Sequence, residues 1–335
     1  MDAIVDTKIT KIVADGDLDG LLSAAILHRI WPDATIHFTH PAEVRSGGVD
    51  NHIGRETAMV DLPFHPNCGL HIDHHLTNKP TYEQEQIAAE QGCKIIWNDA
   101  LSAARVCFDT FRKHVDISDF EMWMPMVDKL DGGKISATEF LSDNPIMWIG
   151  RTIDTTDLPY CRLLLEQLAL GHSPKEIIEI EEVGAKVSEA RINFENLRKT
   201  LSDHLYIVDR LAIVRLEEKG FRTNGYLVTA HAGKSCDACM IIHGYTDGEI
   251  SDKSKWPLSA SFYSNSFLHK QSPIFDLTRL ATAFDVDGGG HAGACGCRIQ
   301  PLSESGTIEN RPITSSDIER NINAWQRLWS QRKSR

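Results

Sequence analysis

The stretch KITKIVADGDLDGLLSAA, residues 8–25, sets three aspartates at alternate positions between a β-rich run and a helix-like run. KITKIVA has the composition of a strand, and the LLSAAILHRI segment has the spacing of a helix. At this separation Asp15, Asp17 and Asp19 repel one another. The stretch is therefore either a solvated acidic turn or a site where a cation offsets the repulsion.

Further β-rich runs and helical segments alternate along the N-terminal part of the chain. Strands are predicted at TIHFTH (35–40), ETAMVD (56–61) and GLHID (69–73), and helices near 82–91, 102–114 and 120–130. Strands that alternate with helices indicate βαβ units and a mainly parallel sheet. We therefore predict an α/β fold whose first domain covers residues 1–170.

Residues 174–201 predict one long helix that joins two domains, with Pro174 in its first turn after a Ser173 cap. This linker spans residues 171–204. A smaller α/β domain is expected over residues 205–302, with strands in LYIVDRLAIVRL (205–216), GYLVTA (225–230) and WPLSASFY (256–263) and a helix near 235–243. The tail, residues 303–335, predicts a helix capped at Ser315 or Ser316.

Composition restricts the class of protein. The 335 residues are 41% hydrophobic and 24% charged, which is ordinary for a globular chain. No apolar run reaches the roughly 18 residues of a membrane span, and MDAIVDTKIT is not a secretory signal. Eight cysteines then predict free thiols and a cytoplasmic location. The net charge of −12 argues against a stable complex with long nucleic acid, whereas a small anionic substrate is compatible if metal ions supply positive charge.

Carboxylates and imidazoles follow three of the predicted strands. Asp15, Asp17 and Asp19 follow the first strand, Asp61 the third, and the Asp73-His74-His75 triplet the fourth. In an open α/β sheet, ligands bind at the carboxyl ends of the strands. Oxygen and imidazole ligands without thiolates suit Mn²⁺ or Mg²⁺. Each piece alone is typical of a solvated surface, but their conjunction predicts a divalent-metal site.

Four segments resemble the motifs of the DHH phosphoesterase superfamily: VADGDLDGLLSAA (13–25), MVD (59–61), HIDHH (71–75) and GGGHAGACGCRI (288–299). The last is similar to the DHH-associated C-terminal domain of RecJ-type exonucleases and nanoRNases. The resemblance covers residues 8–300 and implies a two-metal phosphodiesterase with two Mn²⁺ or Mg²⁺ ions. It implies that Asp17 and Asp19 bind separate metals, that Asp61 bridges them, and that His74 binds one.

The resemblance also implies a further aspartate ligand. MVDKLDGG (126–133) offers Asp128, which is preferred because it directly follows an apolar run, and Asp131 as the alternative. Asp15 and Asp73 are expected to orient the ligands, and His75 to face the substrate phosphate, so that His75 and Asp73 are the catalytic candidates. The substrate-binding candidates are Gly288, Gly289, Gly290, His291, Arg105 and Arg279. With Lys270, the two arginines could replace the arginine that many family members carry where this chain has Asn265.

The leading hypothesis is a metal-dependent phosphodiesterase that hydrolyses short oligonucleotides or linear or cyclic dinucleotides to nucleoside 5′-monophosphates. The alternatives are a RecJ-like single-strand exonuclease and a phosphoanhydride hydrolase of the pyrophosphatase or exopolyphosphatase type, which the GGGH segment disfavours. A non-catalytic nucleotide or metal sensor would be expected to lack some ligands. A homodimer is compatible with all of these.

The cysteine pairs in CDAC (236–239) and CGC (295–297) suggest one other site, a zinc ion held by four thiolates. Two observations disfavour it. SCDACMIIHG has the pattern of an amphipathic helix, and a spacer of one residue is unusual for zinc.

Overall fold

The computed structural model describes residues 4–220, 223–249, 252 and 254–334. The chain forms two compact units, Met1–Lys134 with Asp143–Arg191, and Ile135–Ser142 with Ile192–Arg335. Each unit contains one β-sheet, so the predicted α/β class is confirmed. The predicted domain limits at residues 170, 204 and 302 stay predictions. Among the described residues, no helix is both long and apolar enough to cross a bilayer.

The first unit is built on a five-stranded parallel sheet with the order β2-β1-β3-β4-β5. Its strands are β1 (Lys11–Asp15), β2 (Thr35–Thr39), β3 (Thr57–Val60), β4 (Leu70–Asp73) and β5 (Lys94–Trp97). The four predicted strands are confirmed. The sequence did not predict β5, because KIIW is too short to show a period.

Helices connect these strands and continue after them. They are α1 (Leu18–Ile30), α2 (Pro41–Arg45), α3 (Tyr82–Gln91), α4 (Ala103–Phe111), α5 (Met124–Asp131), α6 (Ala137–Phe140, in the second unit), α7 (Pro145–Thr152), α8 (Leu158–Ala169), α9 (Pro174–Glu179) and α10 (Glu181–His204). In β1, Ile12, Val13 and Ala14 are all fully buried, as expected for a parallel strand that is covered on both faces.

The predicted linker helix is two helices. Ser173 caps α9 as expected, through a capping box with Glu176, but α9 ends at Glu179. Ile180 then adopts extended backbone geometry (φ −66°, ψ 127°) before α10 begins. Ile177, Ile178 and Ile180 are β-branched residues of modest helix propensity, and the periodicity of the flanking residues concealed the break.

The second unit is built on a six-stranded mixed sheet with the order β10-β11-β9-β8-β7-β6. Neighbouring strands are antiparallel except for the β7–β8 pair. Its strands and remaining helices are β6 (Leu205–Val208), β7 (Leu211–Arg215), α11 (Gly225–Ala232), β8 (Ala238–His243), β9 (Ser259–Ser264), α12 (Thr278–Ala281), β10 (Gly289–His291), β11 (Ala294–Arg298) and α13 (Ser315–Ser330).

Two sequence predictions in this unit are wrong. GYLVTA is the helix α11 rather than a strand, and it begins where the Asn224 side chain accepts a hydrogen bond from the Tyr226 N–H at 3.1 Å. Residues 238–243 are the strand β8 rather than a helix, and this strand lies between β7 and β9. A central strand buried on both faces is apolar throughout, so its sequence cannot be distinguished from a buried helix by period.

The tail helix α13 is confirmed, but its cap is Thr314 rather than Ser315 or Ser316. The Thr314 N–H donates to Asp317 Oδ2 at 2.8 Å. Asp317 is fully buried, and both its oxygens accept from the Arg311 guanidinium at 2.7 Å. Trp325 packs edge-on against Phe262 of β9, with ring centroids 5.1 Å apart, which anchors α13 on the core of the second unit.

Candidate metal centre

The carboxyl ends of β1, β3 and β4 are neighbours in the first sheet, and the side chains that follow them converge. They form three groups whose ligand atoms lie within 4.8 Å of one another: Asp61, Asp73, His74 and His75; Asp19, His74 and Asp131; and Asp15, Asp17 and Asp61. Asp61 and His74 each belong to two groups, so the three groups make one continuous cluster. The predicted convergence of these strand ends is therefore present.

The turn after β1 delivers its aspartates in different directions. Asp17 caps α1 by accepting the Gly20 N–H at 2.9 Å. A Cβ at Gly20 would lie 2.3 Å from the Asp15 carbonyl oxygen, so only glycine permits this tight entry into α1.

Asp19, in the first turn of α1, is buried. Its two carboxylate oxygens accept the N–H groups of Ala103 and Ala104, at 2.7 and 2.8 Å. The amino end of α4 thereby stabilises this carboxylate.

Asp61 has a strained backbone. Its φ of 61° lies in the left-handed region, which aspartate adopts more readily than most residues but at a cost. Its N–H donates to the Ile72 carbonyl at 3.0 Å, so the β4 strand fixes the unusual turn. The Oδ1 atom lies 3.7 Å from His74 Nε2 and 3.5 Å from His75 Nδ1. The strained turn thus places the Asp61 carboxylate at the centre of the cluster.

Asp73 organises the histidine turn. Its Oδ1 accepts the N–H groups of His74 and His75, at 2.7 and 3.1 Å, and lies 2.9 Å from His75 Nδ1. Asn78 Nδ2 donates to the other carboxylate oxygen at 2.7 Å. The His75 side chain is half-exposed. These contacts agree with an orienting role for Asp73 and an exposed position for His75.

The structure brings Asp131 to the cluster in place of Asp128. Asp131 Oδ2 lies 2.9 Å from His74 Nε2. Asp128, one turn earlier on α5, instead accepts from Ser102 Oγ at 2.8 Å and from Arg105 Nε and Nη2 at 3.1 and 2.7 Å. The sequence analysis preferred Asp128 as a ligand and took Arg105 as a cation for the substrate. Both choices overlooked the ion pair between these two residues, which the sequence spacing does not reveal.

Burial and mutual repulsion make it unfavourable for all carboxylates of the cluster to be charged. Asp17 reaches the surface, but desolvation by the surrounding protein raises its pKa to about 6, with Asp15 and Asp131 adding repulsion. Burial and neighbouring carboxylates also raise the pKa values of Asp19 and Asp61 well above the ordinary range. Burial would lower the pKa of His74, but the Asp131 carboxylate outweighs it and the pKa is raised.

Three buried atoms of the cluster have no hydrogen-bond partner among the described residues: Asp61 Oδ1, His74 Nε2 and Asp131 Oδ2. The last two are 2.9 Å apart without hydrogen-bond geometry, as expected of ligands that point at a common ion. Buried polar atoms without partners are costly. A divalent cation with oxygen and imidazole ligands would satisfy all three atoms, so the residues present fit the metal.

His40 was not foreseen. Its Nδ1 lies 3.1 Å from Asp15 Oδ1, and its Nε2 lies 3.3 Å from Thr155 Oγ1. The rule that selected the other residues would have found it, since His40 directly follows β2, and β2 is the neighbour of β1. The order of the strands, however, cannot be read from the sequence alone.

In the second unit, the glycine-rich segment forms β10 and pairs with β11. Gly290 has a φ of 136°, and a Cβ at Gly288 would lie 2.3 Å from the Ala281 carbonyl oxygen, so both positions require glycine for packing. A Cβ at Gly289 would meet no atom within 4 Å. Gly289 and the exposed His291 therefore present an open backbone, on which a ligand can approach closely.

The other residues of this unit that the sequence analysis considered are two basic side chains, Asn265 and the cysteines. Arg279 lies over the Phe275 ring, 5.4 Å from its centroid, and Lys270 is exposed. Asn265 is buried, and its Nδ2 donates to the carbonyls of Gly233 and Cys236 at 2.8 and 2.9 Å. All eight cysteines are free and buried, and within the described residues no cysteine belongs to a metal-binding group.

No protein-family model matches the chain, and no curated protein matches it either. Solved structures do. The chain is similar to the pGpG-specific phosphodiesterase PggH from Vibrio cholerae, at 21% identity and a TM-score of 0.72, over 97% of this chain and 99% of that one. It is also similar to RecJ from Thermus thermophilus in complex with Mn²⁺ (12%, TM-score 0.53, 97% and 53% of the chains) and to CDC45 from Entamoeba histolytica (10%, 0.50, 97% and 96%).

These likenesses establish the fold. PggH and RecJ share the α/β architecture of this chain, so the fold class predicted from the sequence is confirmed. The likeness to PggH extends over nearly the whole of both chains.

Proposed function

We propose that this protein is a divalent-metal-dependent phosphodiesterase that hydrolyses short oligonucleotides or linear or cyclic dinucleotides to nucleoside 5′-monophosphates. The observation that carries the proposal is the cluster of carboxylates and imidazoles in which three buried polar atoms make no hydrogen bond to the described residues. Such a cluster is unfavourable unless cations bind there. The fold that the chain shares with PggH, a pGpG-specific phosphodiesterase, supports the substrate class.

The site is proposed to hold two Mn²⁺ or Mg²⁺ ions. The proposed ligands are Asp17, Asp19, Asp61, His74 and Asp131. Asp131 replaces Asp128 in this set because it lies beside His74, whereas the charge of Asp128 is already neutralised by Arg105. RecJ, which has the same fold, was solved in complex with Mn²⁺.

When bound, a divalent ion would act as a Lewis acid that activates water and stabilises the charge that develops on the phosphate. The protein side chains then have separate tasks. Asp19 is locked by the amino end of α4, and Asp61 by its strained turn, so neither has to reorganise during the reaction. His75, with its Nδ1 held by Asp73, is oriented to donate a proton from Nε2 to a phosphate or leaving-group oxygen.

The glycine-rich strand is proposed to bind a phosphate group. Close backbone packing explains why residues 288 and 290 are glycine, but no such contact explains the glycine at residue 289. An open backbone beside the exposed imidazole of His291 suits a phosphate, which accepts hydrogen bonds from N–H groups. Arg279 is a weaker candidate because its guanidinium lies over the Phe275 ring.

Free, buried cysteines support the predicted cytoplasmic location. The homodimer stays a prediction, which light scattering can test. A RecJ-like exonuclease activity remains the main alternative, since RecJ shares the fold.

The test is a substrate panel with Mn²⁺: linear dinucleotides, cyclic dinucleotides, longer single strands and pyrophosphate, with the products separated by chromatography. Cleavage of dinucleotides to 5′-monophosphates, at least about tenfold faster than cleavage of long strands, is expected. Asp61→Asn should abolish cleavage, and Asp116→Asn, at an exposed position, should not affect it. Hydrolysis of pyrophosphate alone would overturn the proposal, and preferential cleavage of long single strands would favour the exonuclease.

A further inference from the structure

Two cysteines lie in contact at the amino ends of neighbouring strands, at the edge of the first sheet opposite to the metal centre. Cys68 is two residues before β4, and Cys93 directly precedes β5. Their sulfur atoms are 3.5 Å apart. Within the part of the chain that the structure describes, no other thiols are in hydrogen-bond contact with each other. The pair is unrelated to the cluster of Asp and His ligands.

The two thiols have different environments. Cys68 is fully buried and Cys93 is 8% exposed. The Arg55 guanidinium donates to the Cys68 carbonyl at 2.9 Å and to the Gln91 side chain. A hydrogen bond with the Cys68 thiol lowers the pKa of Cys93, and the charge of Arg55 lowers it further. The same contact, together with burial, raises the pKa of Cys68. Cys93 is thus the more acidic thiol of the pair, and the thiolate is the reactive state of a cysteine.

Only one of the two cysteines lines a cavity that opens to solvent. A surface cavity of about 300 Å³ is lined by Cys93, Ala88, Ala89, Trp97, Lys79 and Glu85. Lys79 and Glu85 are exposed, so the cavity communicates with solvent. Cys68 does not line it. The cavity is large enough for a small hydroperoxide, since one water molecule occupies about 30 Å³.

We propose that Cys93 and Cys68 form a redox site that a hydroperoxide oxidises to a disulfide. The Cys93 sulfur attacks the terminal oxygen of the hydroperoxide; an S–O bond forms and the O–O bond breaks. The leaving alkoxide or hydroxide takes the proton that Cys93 gives up and departs as an alcohol or water, and Cys93 becomes a sulfenic acid. Cys68 then attacks the Cys93 sulfur; an S–S bond forms, the S–O bond breaks, and the leaving hydroxide takes the Cys68 proton as water. Two thiols are oxidised and one peroxide is reduced.

The sequence allows a clean assay. Trypsin cleaves after Arg55 and Lys94 but not at Lys79, which precedes Pro80, so one peptide, residues 56–94, contains Cys68 and Cys93 and no other cysteine. The full-length protein is treated with hydrogen peroxide, alkylated and digested without reductant. The expected peptide has lost two hydrogen atoms and carries no alkyl group. A second digestion after Glu83 gives fragments that separate only upon reduction. The other six cysteines should stay alkylated, with an oxidised fraction about tenfold lower.

Two variants identify the attacking sulfur. In Cys68→Ser the sulfenic acid should accumulate on Cys93 and be trapped by dimedone, whereas Cys93→Ser should show no trapped adduct on Cys68. Cys161→Ser is the matched control and should form the disulfide as the native chain does. The redox site would be overturned if peroxide oxidised other cysteines while the 56–94 peptide was still alkylated at both cysteines. The order of attack would be overturned if dimedone labelled Cys68 in the Cys93→Ser variant. If a variant fails to fold, the peptide map of the native chain still shows whether Cys68 and Cys93 form a disulfide.

Discussion

Asp128 and Asp131 allow a sharp test of the metal centre, because they lie one helical turn apart and have the same side chain. Asp131 faces the cluster, and Asp128 is paired with Arg105 and Ser102. Asp131→Asn is expected to reduce Mn²⁺ affinity at least about tenfold, since even outer-shell partners of a metal contribute that much. Asp128→Asn should leave the affinity unchanged and instead lower the stability of the fold.

The magnitudes follow from the contacts. At an Mn²⁺ concentration of about 100 times Kd, binding stabilises the folded protein by about 2.7 kcal/mol, and a tenfold loss of affinity removes about 1.4 kcal/mol of this. In Asp128→Asn, Arg105 loses its charged partner but remains about a quarter exposed (27%), so the cost is reduced to about 1–2 kcal/mol. That corresponds to a melting temperature lower by about 3–6 °C.

The assay is thermal unfolding of both variants with and without Mn²⁺, beside calorimetric titration. Without metal, Asp131→Asn should change the stability little, because it removes a charge that repels Asp19 but also the carboxylate that lies beside His74. Loss of the Mn²⁺ response in Asp128→Asn, with a native response in Asp131→Asn, would refute the assignment.

Substitutions at four further positions test other parts of the fold. Gly290→Ala should lower the free energy of unfolding by about 1–3 kcal/mol, because φ is 136° there; Gly289→Ala should leave stability unchanged within about 0.5 kcal/mol but slow substrate turnover. Asp317→Asn should cost about 2 kcal/mol at pH 7. Because Arg311 lowers the pKa of Asp317, that stabilisation is present above the unfolded pKa, near 4, and is lost as the pH falls. Ser102→Ala should cost about 1–2 kcal/mol because it removes the α4 cap.

Each of these tests has its own control and measurement. Chemical unfolding monitored by circular dichroism compares the two glycine variants, and equal losses would contradict the open position of Gly289. Asp317→Asn is measured from pH 7 to pH 2, and an acid-induced loss as large as that of the native chain would exclude Asp317 as a contributor. Ser102→Thr keeps the capping oxygen and should recover most of the loss that Ser102→Ala causes.

The sequence predicted the part of the fold in which local pattern and tertiary context agree. The strands β1 to β4 are short apolar runs that end in acidic or histidine residues, and α9 begins after the cap residue Ser173 that the sequence predicted. The same physics selected Asp15, Asp17, Asp19, Asp61 and the histidine turn, because strands of a parallel sheet end at one edge.

The misses have a common cause, which is contact between segments distant in sequence. The exchange of helix and strand over residues 225–243 arose because β8 is buried on both faces, so that its apolar run carries no period. Asp128 was preferred to Asp131 because the Arg105 partner, 23 residues earlier, cannot be inferred from spacing. To predict that His40 lies beside Asp15, one has to know that β2 is the neighbour of β1 in the sheet. Period and caps are local properties, whereas these features depend on the assembled sheet.

The hydrogen bonds of the Asp19 carboxylate provide a way to detect metal binding in solution. Both oxygens of this carboxylate accept main-chain N–H groups, those of Ala103 and Ala104. Any change in the electron density on the carboxylate therefore alters the magnetic environment and the solvent exchange of these two amide protons. Two cross-peaks in an amide NMR spectrum would thus report on the occupancy of the site directly, without a substrate, an inhibitor or a label.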